Sequence, residues 1–222
     1  LAALKSGERA PDFAARASLA GKEFNFNLQD ALKKGPAVVY FYPSAFTKGC
    51  DLEAHTFAVN KEKFDAAKAT IIGVSADSIA RLNQFSADPE YCAGKFPVAS
   101  DPDRKIANSY NLQSTALKAG AKDVRGVDID HDFIERVTFV IGTDHKVIAT
   151  FSSNDDKISP DQHVEKALEM VQMGLATWRE VPWSVMTRGM EKQGEQLNTD
   201  ELHLRSFWLQ WDKLMQGAKP GQ

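Results

Sequence analysis

Short apolar runs alternate with amphipathic segments along the first three quarters of the chain. Runs rich in β-branched and aromatic residues, with strand length, predict buried strands at residues 37–42, 70–75, 136–141 and 146–151. Apolar positions at helical spacing predict helices at residues 52–67, 78–86, 105–110 and 160–171. Ser159 is the expected N-cap of the last helix, with Pro160 at its first position. This alternation of strands and helices predicts an α/β sandwich.

Composition changes abruptly near residue 170, because all five methionines and all four tryptophans lie beyond residue 169. We therefore predict one domain over residues 1–172 and a separate α-helical C-terminal extension over residues 173–222. In the extension, a helical pattern places apolar side chains on one face: Leu204, Phe207, Trp208, Trp211, Leu214 and Met215. Such a face needs a cover, which is either the chain's own domain or a second copy in a homodimer.

Charge and hydropathy exclude some partners. With 27 basic and 30 acidic residues the net charge is −3, which gives no electrostatic basis for binding nucleic acid or an anionic membrane. No apolar stretch approaches the roughly 18 residues that a membrane-spanning helix needs. The polar linker at residues 113–134 holds carboxylates and one imidazole, at Asp128, Asp130, His131 and Asp132. We predict a solvated loop there and no metal, because no ligand spacing recurs elsewhere.

Cys50 follows a strand that ends at Pro43, and Thr47 lies three residues ahead of it. This arrangement puts the cysteine in the first turn of the next helix. Free backbone N–H groups and the positive end of the helix dipole favour a thiolate there, which is the nucleophilic form. Taken alone, a cysteine after a strand can equally be an inert packed thiol.

Pro43, Thr47 and Cys50 match P-x-x-x-T-x-x-C, the active-site signature of the peroxiredoxins. Four further blocks in the expected order resemble that family: residues 7–13 (GERAPDF), 71–78 (IIGVSADS), 96–103 (FPVASDPD) and 136–141 (RVTFVI). Residues 1–172 thus resemble a peroxiredoxin of the Q type, also called bacterioferritin-comigratory. The resemblance implies a thioredoxin-like fold, with a central mixed β-sheet flanked by helices.

The resemblance also implies a thiol-dependent peroxidase acting on hydrogen peroxide and organic hydroperoxides. Cys50 would be the nucleophile, and Arg136 would stabilise both the thiolate and the charge developing on the peroxide. Thr47 would orient the reactants, Pro43 would shield the sulfur, and Glu53 would join the surrounding hydrogen bonds. From the residues alone, Arg136 could instead be a surface charge at a strand end, and Glu53 an exposed helix carboxylate.

A second thiol can condense with the sulfenic acid that Cys50 becomes. Q-type members often carry that thiol five residues after the first, where this chain has His55. Cys92, expected at the end of the third helix, matches the position used by other members, so we expect a Cys50–Cys92 disulfide; a structural role for Cys92 is the alternative. If the two Cα atoms lie more than about 7 Å apart, the first turns of the Cys50 helix must unwind.

The resemblance further implies recycling by thioredoxin or a similar dithiol protein, and no metal or organic cofactor. Residues 1–13 contain no secretory apolar segment and the chain does not begin with Met. Because some exported bacterial peroxiredoxins are similar to this N-terminal half, a periplasmic form is expected over a cytoplasmic one. Two other functions stay open: a thiol–disulfide oxidoreductase, which normally needs a C-x-x-C that is absent here, and a non-catalytic module that binds partners through the extension.

Overall fold

The structure is a computed structural model that describes residues 2–178, with side chains to residue 173. Its strands are β1 (Ala14–Leu19), β2 (Lys22–Asn27), β3 (Ala37–Phe41), β4 (Thr70–Ser75), β5 (Val98–Ser100), β6 (Ser114–Thr115), β7 (Phe133–Ile134), β8 (Val137–Ile141) and β9 (Val147–Ser152). Its helices are α1 (Leu28–Leu32), α2 (Lys48–Ala66), α3 (Ile79–Ala87), α4 (Lys105–Ser109) and α5 (Pro160–Trp178).

Seven strands form one sheet in the order β2-β1-β5-β4-β3-β8-β9, and β6 pairs with β7 separately. The central strand β3 runs parallel to β4 and antiparallel to β8, so the sheet is mixed. Every residue of β3 is buried, as expected for a strand covered on both faces. Together with the flanking helices, this arrangement confirms the predicted thioredoxin-like α/β fold.

Alternate residues of β3 divide the interior into two cores. Val39 and Phe41 belong to the core that also contains side chains of α1 and α4. Val38 and Tyr40 belong to the core on the other face, which contains side chains of α2, α3 and α5 together with both cysteines. Gly73 on β4 makes room for the Tyr40 ring, since an added Cβ would lie 2.6 Å from the Tyr40 Cζ and hydroxyl oxygen. The cysteines therefore share one apolar environment beneath the sheet.

Several elements differ from the prediction. The sequence pattern does not predict the hairpin β1–β2, because five of the six residues of β2 are exposed and give a weak pattern. It also misses helix α1 and the strands β5, β6 and β7, which are only two to five residues long. The helix expected to begin at residue 52 begins at Lys48, and Arg136 immediately precedes β8 instead of opening it.

The predicted domain boundary at residue 172 falls within α5, which continues to Trp178. The helices expected in the extension lie outside the described residues, and so does the surface expected to mediate dimerisation. No helix within residues 2–178 has the length and apolar character needed to cross a membrane.

Candidate active site

The segment between β3 and α2, residues 42–47, is here called the catalytic loop. Thr47 is the N-cap of α2 with extended backbone angles, and its carbonyl accepts from the Asp51 N–H at 2.8 Å. Cys50 is the third residue of the helix, so it lies in the first turn as the sequence predicts. Its side chain belongs to the core formed by α2, α3 and α5, and the residue is 1% exposed.

Arg136 reaches the cysteine from the start of β8. Its Nη2 donates to Cys50 Sγ at 3.1 Å, and its Nη1 donates to the Glu53 carboxylate in a close ion pair. The Glu53 side chain is fully buried and that of Arg136 is nearly so. The alternatives of a surface arginine and an exposed glutamate are therefore wrong, because one guanidinium links both α2 side chains inside the protein.

Gly49 allows the helix to approach this guanidinium. A Cβ at this position would lie 3.2 Å from Arg136 Nη2 and 3.4 Å from Pro160 Cγ at the start of α5. Either distance is at or below ordinary van der Waals contact, so a side chain here would press on the arginine. Glycine before the cysteine thus brings three elements together at one point.

Burial dominates the electrostatics of the site. It raises the pKa of Cys50, against the positive charge of Arg136 and hydrogen bonds from Thr47 and the Ser44 backbone, which lower it. The expectation that the helix N-terminus and a guanidinium would give a lowered pKa is not met in this closed pocket. Burial also raises the pKa of Glu53 to about 7, again opposed by Arg136. Arg136 stays charged, because Glu53 and Cys50 outweigh its own burial and raise its pKa.

Thr47 and Pro43 lie where the motif requires, near the two ends of the catalytic loop. The Thr47 hydroxyl donates to the Ser44 carbonyl at 2.9 Å, so it fixes the loop as well as facing the cysteine. Both Pro43 and Thr47 are half-buried. The threonine therefore couples the shape of the loop to the start of α2.

Cys92 lies in a turn five residues beyond the end of α3, not at the helix end as predicted. It is completely buried in the same core as Cys50, and both thiols are free. Burial raises the pKa of Cys92 well above its usual range. His55, which occupies the position of the usual second cysteine, donates from Nδ1 to the Glu90 carbonyl at 3.0 Å, and so ties α2 to the Cys92 turn.

The sequence pattern gives no sign of a buried charged cluster behind the catalytic loop. Asp77, in the segment after β4, contacts both Arg81 and His131 at 2.9 Å. The block 71–78 draws attention to this stretch, but no spacing links Asp77 to a histidine so far along the chain. Of the linker carboxylates, Asp128 pairs with Lys122 and Asp132 with Arg104. Within the described residues, no group of three or more His, Cys, Asp or Glu side chains is placed to hold a metal.

A buried cysteine in the first turn of a helix, contacted by a guanidinium that a carboxylate also binds, is suited to reaction as a nucleophile. Residues 6–150 match the model of the AhpC/TSA family. The chain belongs to this family, and it is a thiol-dependent peroxidase of the peroxiredoxin kind.

Relatives and solved structures agree with this assignment. The chain is 31% identical over 166 residues to a Helicobacter pylori protein named "Putative peroxiredoxin bcp", covering 75% of this chain and 97% of the relative. Peroxidoxin BcpB from Mycobacterium tuberculosis is 29% identical with a TM-score of 0.63, covering 77% of this chain and 97% of that one. A cysteine-to-serine mutant of Xanthomonas campestris peroxiredoxin Q is 27% identical with a TM-score of 0.56, covering 72% of this chain and 90% of that one.

Proposed function

We propose that Cys50 attacks the peroxide as its thiolate, the form that burial opposes and that Arg136, Thr47 and the Ser44 backbone favour. Sulfur bonds to one peroxide oxygen, the O–O bond breaks, and the other oxygen leaves as hydroxide or alkoxide that takes up a proton. Cys50 becomes a sulfenic acid, and the peroxide is reduced to water or an alcohol. The observation that carries this proposal is the 3.1 Å contact between Arg136 Nη2 and Cys50 Sγ.

Each remaining site residue has a proposed role. Arg136 stabilises the thiolate and the oxygen anion that leaves, because it keeps its charge and presents several donors in a fixed plane. Glu53 holds the guanidinium in place by accepting from Nη1, the nitrogen that does not contact Cys50. Thr47 orients the peroxide with its hydroxyl, and Pro43 shields the sulfur from solvent.

We further propose that Cys92 resolves the sulfenic acid. Its thiol attacks Cys50 sulfur, the hydroxyl leaves as water, and a disulfide forms with no further oxidant. Both thiols are free and buried in the same core. Where their Cα atoms lie more than about 7 Å apart, the first turn of α2 unwinds to let the two sulfur atoms meet. A dithiol protein of the thioredoxin type then reduces this disulfide to two thiols and is itself oxidised to a disulfide.

The direct test combines Arg136→Gln with measurement of the Cys50 pKa from the ultraviolet absorbance of the thiolate. Losing the cation should raise that pKa further and slow the reaction with hydrogen peroxide by about 100-fold, as for removal of one oxyanion donor. Arg16→Gln, which removes an exposed ion pair with Glu23, is the matched control. An unchanged pKa and rate in Arg136→Gln would refute the assignment of this site.

Cys50→Ser should abolish peroxide consumption, since no nucleophile remains. Mass spectrometry of peroxide-treated wild type should find a peptide crosslink between Cys50 and Cys92. Cys92→Ser should instead keep a sulfenic acid on Cys50. A persistent sulfenic acid in the wild type would show that a single cysteine serves the reaction.

A further inference from the structure

The backbone of the catalytic loop is held from outside by two charged side chains. The Ala45 N–H donates to Asp77 Oδ2 at 2.7 Å, and Arg81 Nη2 donates to the Ala45 carbonyl at 3.0 Å. The Ser44 hydroxyl donates to the other oxygen of Asp77 at 2.9 Å. Both backbone groups of one residue are therefore satisfied by side chains that come from neither α2 nor β8.

Asp77 is an ionised carboxylate with many partners. It is fully buried, accepts from the Ser75 hydroxyl at 2.7 Å, and contacts Arg81 Nε and His131 Nε2 at 2.9 Å. Burial opposes its ionisation, yet the His131 contact holds the pKa of Asp77 below its ordinary value. The His131 Nδ1 donates to the Asp132 carbonyl at 3.0 Å, so both ring nitrogens face acceptors, an arrangement that suits the imidazolium.

A second segment, residues 123–125, also contacts the loop and Arg81. Asp123 accepts from Arg81 Nη2 at 2.8 Å, and the Val124 N–H donates to the Phe46 carbonyl at 2.9 Å. The Arg125 guanidinium lies 3.3 Å from the centre of the Phe46 ring. Three successive loop residues, 44 to 46, are thus contacted by one connected set of groups, in which the carboxylates of Asp77 and Asp123 are buried and Arg125 is exposed. Releasing one member would leave a buried charge or backbone group without its partner, which is costly.

The same loop connects the two cysteines. Its Ser44 carbonyl accepts from Thr47, the N-cap of the helix that carries Cys50. Its Phe46 ring packs edge-on against Tyr91 at 5.5 Å, next to Cys92 in the chain. Any unwinding of the first turn of α2 therefore pulls on residues that Asp77 and Arg81 hold.

We propose that Asp77 and Arg81 are positioning residues that form a latch. They hold the catalytic loop in the conformation that reduces peroxide, and they restrain the opening that frees Cys50 from its pocket. The part of the proposal that concerns disulfide formation rests on the proposed two-cysteine function; the part that concerns peroxide reduction and opening does not.

The test uses the full chain carrying Cys92→Ser, so that Cys50 is the only thiol. Opening is measured as the rate of Cys50 alkylation by iodoacetamide, and positioning as the second-order rate of reaction with hydrogen peroxide. Asp77→Asn and Arg81→Gln should each raise alkylation by about tenfold, equivalent to about 1.4 kcal/mol, while peroxide reduction slows by a similar factor. Lys122→Gln, which removes an exposed ion pair with Asp128 in the same linker, should change neither rate.

Opposite movement of the two rates distinguishes a latch from a merely structural role. If both rates stay unchanged, or both fall together with the melting temperature, the proposal is overturned. Should Asp77→Asn not fold, Arg81→Gln decides by the same criteria. With Cys92 restored, the sulfenic acid on Cys50 should convert to the disulfide faster in both variants, although it forms more slowly. A wild type that forms no disulfide would refute the two-cysteine function, whereas the rates in Cys92→Ser would still decide the latch.

Discussion

At the scale of single residues, the site depends on how one guanidinium divides its contacts. Arg136 offers one nitrogen to Cys50 and the other to Glu53, whose second oxygen has no hydrogen-bond partner among the described residues. The negative charge of Glu53 raises the pKa of Cys50, whereas the charge of Arg136 lowers it. Protonation of Glu53 should therefore lower the pKa of Cys50, because it removes a negative charge that opposes the effect of Arg136.

A pH dependence of stability follows from two carboxyl groups of α2, the buried Glu53 and the half-buried Asp51. Burial raises the pKa of Glu53 from its ordinary 4.5 to about 7. It also raises the pKa of Asp51 from its ordinary 3.8 to about 7. Between about pH 4.5 and pH 7 the native state then binds more protons than the unfolded chain. The free energy of unfolding should therefore fall as the pH rises through this window.

Glu53→Gln should make the free energy of unfolding fall less steeply with pH, because glutamine binds no proton in this range. The slope should change by at most about 1.4 kcal/mol per pH unit, the effect of one proton. Urea unfolding under reducing conditions at several pH values across the window measures it. Glu23→Gln is the control. Hydrogen bonds from Asn83 and Arg16 lower the pKa of this exposed carboxyl, so Glu23 changes its charge below the pH window in which Glu53 does. An equal slope in wild type and Glu53→Gln would contradict the raised pKa.

At the scale of elements, the beginnings of α2, β8 and α5 meet at one glycine. Local pattern predicts α2 and its first-turn cysteine, because a strand, a proline and a helical segment follow one another in sequence. It misses the β1–β2 hairpin, whose second strand is mostly exposed and carries little alternation. It also gives no sign of how closely Pro160 and Arg136 approach Gly49, because that contact joins segments far apart in the chain.

Gly49→Ala tests this close approach. The added methyl group should displace the Arg136 guanidinium from Cys50 and slow peroxide reduction by about tenfold or more, since small misplacements of reacting groups are costly. Thermal stability should change little, because alanine favours the helix by up to about 1 kcal/mol over glycine and offsets the crowding.

The matched control is Lys48→Ala, at an exposed position in the same helical turn. It should leave the peroxide rate unaltered. Wild-type kinetics in Gly49→Ala would show that the arginine does not need this glycine.

At the scale of the whole molecule, one strand separates two cores, and both thiols lie on the same side of it. The catalytic loop leaves the end of this rigid strand, whereas its restraints come from segments on either side. In the proposed two-cysteine reaction, a stable sheet combined with local release of the catalytic loop would let one domain both reduce peroxide and bring Cys50 to a second thiol.

The C-terminal extension carries the prediction that belongs to this scale. Trp211→Ala in the full chain should weaken a homodimer, seen as a shift toward monomer in sedimentation velocity, because the aromatic face would lose area that it buries. Lys213→Ala, in the same predicted helix, is the control. If the wild type sediments as a monomer and Trp211→Ala only lowers its melting temperature, the face covers the chain's own domain instead.

The sequence by itself determined the α/β class of fold and the first-turn position of Cys50, and its resemblance to a known family drew attention to Arg136 and Glu53. The fold class and the position of Cys50 follow from local order, in which an apolar strand is followed by a proline and then by a helix. Only the tertiary structure decided that Arg136 and Glu53 are buried partners. It alone decided that Asp77 and Arg81 form hydrogen bonds with the backbone of the catalytic loop. It also decided that burial raises the pKa of Cys50. Ion pairs and desolvation arise between segments distant in the chain, and no local pattern records them.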